Sequence, residues 1–214
     1  MGISIHFQRV TDPRLADIRI GFQAGAGSWS YVGRDILNIS NPEERTMNLC
    51  WTELSTAVHE IGHTLGFSHE HQNPKAGIVW DEEAVYAALA DPPNNWSREK
   101  THYNIIRQLD PRSVHGSDWD KDSIMHYPFN AGLIKEPEKY QTHDLIPAPG
   151  LSERDKHWAR TFYPAETEKI ALTPFRPHPF GINAGEQISF SITPERGRTY
   201  NIGTFGAPDT VMVL

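Results

Sequence analysis

His59, Glu60, His63 and His69 fall within one short run, His59-Glu60-Ile61-Gly62-His63-Thr64-Leu65-Gly66-Phe67-Ser68-His69. Two histidines four apart lie on one face of a helix and can share a metal ion. Glu60 lies between them and can reach a water bound to that metal. Gly66 lets the chain leave the helix sharply, so that His69 swings back as a third imidazole. Three neutral nitrogens hold zinc and leave a position open for water, the pattern of a catalytic site and not of a closed structural one. Zinc lowers the pKa of its bound water towards about 7, and Glu60 takes that water's proton as it attacks a carbonyl. The five-residue core alone arises by accident in roughly one chain of this length in a hundred, and Gly66 with His69 makes accident about a thousandfold rarer. The spacing therefore predicts one Zn2+ per chain, held by His59, His63 and His69, with Glu60 as the base.

A helix has to carry this run. Leu54, Ala57, Val58, Ile61 and Leu65 recur at helical spacing, with Thr52 as the N-cap and Gly66 at the stop. Thr46 to Trp51 reads as a short strand feeding the helix, and as the sheet edge on which a peptide would lie. Upstream, Ile3, Ile5 and Phe7 alternate with polar residues as a strand does, and so do Ile18, Ile20 and Phe22. A glycine-rich turn from Gly21 to Gly27 and a Trp29/Tyr31 segment follow. Asp81 is placed to cap a helix over Glu82 to Ala90, and Ser97 starts another running to about Gln108. Residues 113–150 are irregular and turn-rich, which suggests function more than packing. Ser152 begins a further helix, with Asp155 three residues on as a near capping box, ending at Tyr163-Pro164. Beyond Pro164 the character changes: Ile188/Phe190/Ile192 and Tyr200/Ile202/Thr204 alternate around a Pro194-Glu195-Arg196-Gly197 turn and predict a hairpin.

Composition narrows the class. The 214 residues carry 20 Lys plus Arg against 27 Asp plus Glu, a formal net charge of -7. That balance excludes a nucleic-acid binder, whose affinity comes largely from a cationic surface. No apolar run approaches the roughly 20 residues that a membrane span needs. The opening residues lack a secretory signal, so an exported protein would carry its signal upstream. A single cysteine, Cys50, rules out an intrachain disulfide and a multi-cysteine zinc site. Its place in the predicted strand marks it as a buried, inert thiol.

The histidine run matches the metzincin signature, and with Glu70 and His71 after it resembles the astacin family. Asp122-Ser123-Ile124-Met125-His126-Tyr127 looks like the astacin form of the Met-turn, in which a methionine lies beneath the metal. The resemblance covers about residues 15–164. It implies an α+β fold of the metzincin type: a twisted upper β-sheet with the active-site helix, and an irregular lower half closed by a C-terminal helix. It also implies a zinc endopeptidase that binds polypeptide substrate extended in the cleft, secreted and acting as a monomer. In the family the tyrosine matching Tyr127 ligates zinc at rest and swings to stabilise the oxyanion, which gives Tyr127 a catalytic role. The acid matching Glu70 commonly holds the N-terminus released by pro-peptide cleavage, so Glu70 is a candidate structural anchor. Animal astacins usually carry two disulfides here; one cysteine makes neither and points to a bacterial or minimal branch. The alternative function is a catalytically weak, metzincin-like peptide- or matrix-binding module, against which the intact Glu60 weighs.

The expected division is a catalytic domain over residues 1–164 and a β-rich segment over 165–214. The segment Tyr200 to Leu214 looks like part of the β-sandwich found after bacterial secreted peptidases, with an unrelated β-extension as the alternative. A chain ending near Ala165 is expected to contain the whole site. His71 is expected to be solvated or behind the ligands, and His126 to pack or hydrogen-bond. Asp118, Asp120 and Asp122 begin like a calcium loop, but Ser123 and Phe129 stand where glycine and glutamate are needed, so that reading fails. The sequons at Asn38 and Asn95 matter only on a eukaryotic secretory route.

Overall fold

The computed structural model describes residues 2–51, 53–165, 170–183 and 188–203. Ile5–Tyr163 gather into one compact unit, and Gly2–Ser4 with the chain from Pro164 onward form a second. The N-cap proposed at Thr52 and the tail positions from Thr204 to Leu214 lie outside the described residues.

The upper part of the larger unit is a three-stranded sheet of β1 (Ile20–Gly21), β2 (Trp29–Ser30) and β3 (Met47–Asn48), ordered β1-β3-β2. β3 runs parallel to β1 and antiparallel to β2. It is therefore the central strand and not the edge that the sequence suggested; among the described residues β2 is the edge beside the metal helix. Alternation does not reveal neighbours, and here both β3 residues, Met47 and Asn48, are buried. Asn48 explains the glycine-rich turn. Its side-chain oxygen accepts from Gln23 N (2.9 Å) and its amide donates to the carbonyls of Gln23 (3.2 Å) and Gly27 (2.6 Å), so the turn folds around one buried amide. The predicted first strand is not formed. Ile3 makes a single bridge to Pro164, and Phe7 is 61% exposed, because an alternating segment without a paired neighbour has no face to bury.

α1 (Leu54–Thr64) follows the sheet and starts at Glu53 without a side-chain cap. Its end depends on two glycines. Gly66 sits at φ +90°, a conformation that side chains strain to adopt, and a Cβ at Gly33 would lie 3.2 Å from the Gly66 Cα. The exit turn thus packs backbone on backbone.

The main apolar core lies in the lower part, where Ile78, Trp80, Val85, Ile105, Phe129, Ile134 and Leu145 are all buried together. Its frame is α2 (Glu82–Ala90), α3 (Arg98–Thr101) and an antiparallel pair of β4 (Val79–Trp80) with β5 (Ile134–Glu136). Asp81 caps α2 by accepting from Ala84 N at 3.2 Å, and Ser97 caps α3 through Lys100 N. α3 does not run to Gln108 as a regular helix; it widens into a π-turn over His102–Ile106. α4 (Glu153–Phe162) opens with a complete capping box between Ser152 and Asp155. Its apolar side carries Phe162, stacked on Trp158 and packed against Phe67, while Tyr163 just beyond donates its hydroxyl to the Leu65 carbonyl at 2.7 Å.

In the second unit β6 (Ile170–Ala171) pairs with β7 (Phe190–Ser191), and the pairing is parallel. The expected hairpin is absent among the described residues. Its turn forms, with Arg198 N donating to Glu195 O at 3.3 Å, but Phe190 takes its partner from the distant Ile170 instead of from Ile202. Local alternation and turn residues fix strand and turn tendency; they do not fix which neighbour a strand chooses.

Among the described glycines, Gly62 of α1 leaves the least room for a side chain. A Cβ on Gly62 would clash with the Met125 sulfur, and Met125 is itself buried. Gly62→Ala is expected to lower stability by about 1–3 kcal/mol through overpacking. Equilibrium denaturation checks this, and a variant as stable as the parent would show that Met125 is free to move aside.

Candidate metal centre

α1 brings His59 and His63 to one face, and the turn through Gly66 returns His69 against them. One ligand-capable atom from each of the three histidines lies within 4.8 Å of the others. The backbone decides which ring nitrogens are free. His59 Nδ1 stands 2.7 Å from the Ile124 carbonyl, and His63 Nδ1 is 2.7 Å from the Phe67 carbonyl. A carbonyl only accepts, so each Nδ1 carries the proton and each Nε2 is left with its lone pair. His59 Nε2 is buried with no partner, and His63 Nε2 faces His69 Nε2 at 3.1 Å. Converging lone pairs of this kind, one of them orphaned, suit a borderline cation such as zinc.

Burial keeps these rings neutral. It lowers the His59 pKa, pushes His63 down to about 4 with help from the neighbouring His59, and holds His69 well below the ordinary histidine range. Glu60 follows the same physics with the opposite sign. It is 5% exposed, one of its oxygens has no partner, and burial raises its pKa to about 7. A carboxylate in this state gains or loses a proton near neutrality, as a general base must.

Tyr127 stands over the cluster. Its ring centroid is 4.4 Å from that of His69 and 5.5 Å from that of His59, and burial raises its pKa, with the Glu60 charge adding to the effect. The phenol therefore keeps its proton and remains a hydrogen-bond donor. All five residues that the sequence singled out for chemistry are thus brought together.

The surroundings add groups that spacing alone left undecided. His71 is 1% exposed, its Nε2 donates to the Asn104 carbonyl at 2.9 Å, and its ring lies against those of His69 and Tyr127. It is not solvated. His126 is also buried, and its Nδ1 donates to the Tyr127 carbonyl at 2.7 Å. Glu70 accepts through one oxygen from Asn73 and from the Asp120 N–H, both at 2.9 Å, so it anchors the loop ahead of the Met-turn residues. Cys50 is half-buried and outside the strand; its sulfur accepts from Gly25 N at 3.2 Å, which corrects its reading as a buried strand thiol. Sequence reasoning missed Gly62, whose requirement appears only once Met125 is placed beneath it. It also missed the reach of Asp155, which looked like a helix cap and nothing more.

Fold and donor set together define an α+β domain of the metzincin type. A family model described as Astacin, a peptidase family, matches residues 4–142. Bone morphogenetic protein 1 of Xenopus laevis is 30% identical over 148 residues, covering 64% of this chain and 19% of that protein. Zinc metalloproteinase nas-36 of Caenorhabditis briggsae is 27% identical over 169 residues, covering 78% of this chain and 24% of that protein. Among solved structures, that of myroilysin superposes with a TM-score of 0.63 at 35% identity, over 71% of this chain and 74% of that one. The chain belongs to the astacin family of zinc peptidases. It spans about a quarter or less of the length of these two curated relatives.

Buried neutral histidines imply a definite pH dependence in metal-free protein. His63 and His126 are pushed to about 4 and His71 to about 3, from an ordinary value of 6.5. Between those limits the unfolded chain binds more protons than the folded one, so stability falls as pH drops from about 6.5 towards 4. His59 and His69, also lowered, add to this trend, while Glu60, raised to about 7, and Glu70, also raised by burial, work against it. Thermal denaturation in chelator is expected to show a melting temperature that falls on acidification through this window. A flat profile would mean that these rings are accessible to protons in the folded state.

Proposed function

We propose that this chain is a zinc-dependent endopeptidase, with His59, His63 and His69 as metal ligands and Glu60 and Tyr127 as catalytic residues. The observation that carries the reading is a buried carboxylate poised near neutrality beside imidazoles whose Nδ1–H groups are spent on backbone carbonyls. Bound zinc would act as a Lewis acid and lower the pKa of water. The remaining steps belong to the chain. Glu60 accepts the proton of the attacking water at its carboxylate and returns it to the leaving amine. The Tyr127 hydroxyl donates a hydrogen bond to the oxyanion as the carbonyl becomes tetrahedral. The substrate lies extended along the free edge of β2, next to α1, with main-chain hydrogen bonds supplying register.

The same proposal places the catalytic unit within residues 1–164, with one zinc per monomeric chain, and residues 165–214 as a β-rich appendage. It places the enzyme outside the cytoplasm, on the strength of the family resemblance. The binding-module alternative finds no support, since the base is intact and buried.

Glu60→Gln keeps shape but cannot take up the proton. Zinc content by mass or atomic spectroscopy is expected to stay at one per chain while peptide turnover falls at least about a hundredfold. Turnover within a few-fold of the parent would assign the base elsewhere. Tyr127→Phe is expected to raise the barrier by roughly 2–4 kcal/mol, mostly in kcat, with zinc retained. Loss of zinc from that variant would instead make the phenol a ligand first.

A further inference from the structure

Asp155 stands in the first turn of α4, and each of its carboxylate oxygens is engaged. Oδ1 accepts from the Ser123 hydroxyl at 2.6 Å. Oδ2 accepts from Ile124 N at 2.9 Å and from Ser152 N at 2.8 Å. The Ser123 hydroxyl oxygen in turn accepts from Met125 N at 3.0 Å. Three consecutive residues of the Met-turn are thereby tied, directly or through one hydroxyl, to a single carboxylate. The next bond leads to the metal site: the Ile124 carbonyl is the acceptor that fixes His59 Nδ1 at 2.7 Å.

The peptide that carries this carbonyl also carries the Met125 N–H, which donates to the Ser123 hydroxyl, and the next carbonyl, that of Met125, accepts from Glu70 N at 3.0 Å. Residues 119–127 form neither helix nor strand, so no ladder orients their peptides. Two turn bonds, Ser123 N to Asp120 O and His126 N to Ser123 O, flank Ile124 without touching it. Asp155 restrains this peptide from two sides, by charge-assisted bonds to the Ile124 N–H that precedes it and to the Ser123 hydroxyl that takes its Met125 N–H. The ring plane of His59, and with it the direction of its Nε2 lone pair, follows from where this carbonyl points.

We propose that Asp155 is a positioning residue for the metal site, acting through Ile124 on His59. The capping box of α4 is then more than a helix start: the carboxylate that closes it also aims a ligand in another element. The inference rests on the reading of His59 as a zinc ligand.

Zinc affinity of the full chain, measured by competition with a chromophoric chelator, tests it. Asp155→Ala removes the carboxylate's bonds to the Ser123 hydroxyl and to the Ile124 and Ser152 N–H groups and is expected to weaken zinc about tenfold or more. Asp155→Asn keeps one acceptor for the Ile124 N–H, offers its amide to the Ser123 oxygen, and is expected to fall between. Ala159→Gly, a buried position one turn further along the same helix that carries none of these hydrogen bonds, is the control. It should lower the melting temperature and leave zinc affinity unchanged. If Asp155→Ala does not fold, Asp155→Asn loaded with Co2+ decides, since a reoriented His59 shifts the visible ligand-field bands. Parental affinity in Asp155→Ala, or parental affinity and bands in Asp155→Asn, overturns the inference. A parent chain that binds no zinc would overturn the metal reading itself, a distinguishable result.

Discussion

An imidazole can serve a metal only while one nitrogen is free of protons and aimed at the ion, and that requirement organises the larger unit. His59 and His63 are buried and His69 is half-buried, and withdrawal from solvent lowers their proton affinity. Each ring must still be held in rotation. The Ile124 and Phe67 carbonyls do this for His59 and His63 by taking the Nδ1–H bonds. Both carbonyls come from irregular chain: one from the turn after α1, one from the Met-turn. Irregular chain leaves such carbonyls free of a ladder partner, whereas most of those inside a helix are already engaged.

This explains the division of labour within the fold. The upper sheet is small, and its work is to set the start of α1; Asn48 and the glycine turn around it give it rigidity in few residues. The lower half carries most of the apolar core, and on that core sit the loops that orient ligands. Glu70 and Asp155 stitch those loops to the rest through carboxylates, both partly buried. Backbone N–H groups in irregular chain need acceptors: Glu70 takes that of Asp120, and Asp155 takes those of Ile124 and Ser152.

What could be read in the sequence follows the same line. The convergence of His59, Glu60, His63 and His69 was legible because short spacing and a helical period bind residue type to geometry within a dozen positions, and that of Tyr127 because the Met-turn run carries its own resemblance. The helices over Glu82–Ala90 and from Ser152 were legible because Asp81 and Ser152 announce their first turns. Strand partnership was not. β3 reads as an edge and lies in the centre, and Phe190 reads as half of a hairpin but pairs in parallel with Ile170. Pairing is a contest between distant segments, and alternation records only that a segment has two faces. The relay through Asp155 was hidden for the same reason: its partners lie some thirty residues earlier, and its local role as a cap already accounted for it.

The closure of the unit shows why the last helix belongs with the site despite lying so far along the chain. Tyr163 returns to the Leu65 carbonyl beside the exit of α1, Trp158 donates to the Ser117 hydroxyl at 3.1 Å, and Arg154 bonds the Asp118 carbonyl. Each contact fastens α4 to a loop that no regular structure supports. Without α4, the Ser123 hydroxyl and the Ile124 N–H would lose their shared acceptor, and the carbonyl that holds His59 its restraint. These contacts join residues some thirty to a hundred positions apart, so loop-closure entropy opposes each of them until the helix is in place. An ion bound by His59, His63 and His69 would stabilise the docked helix together with the ordered histidines.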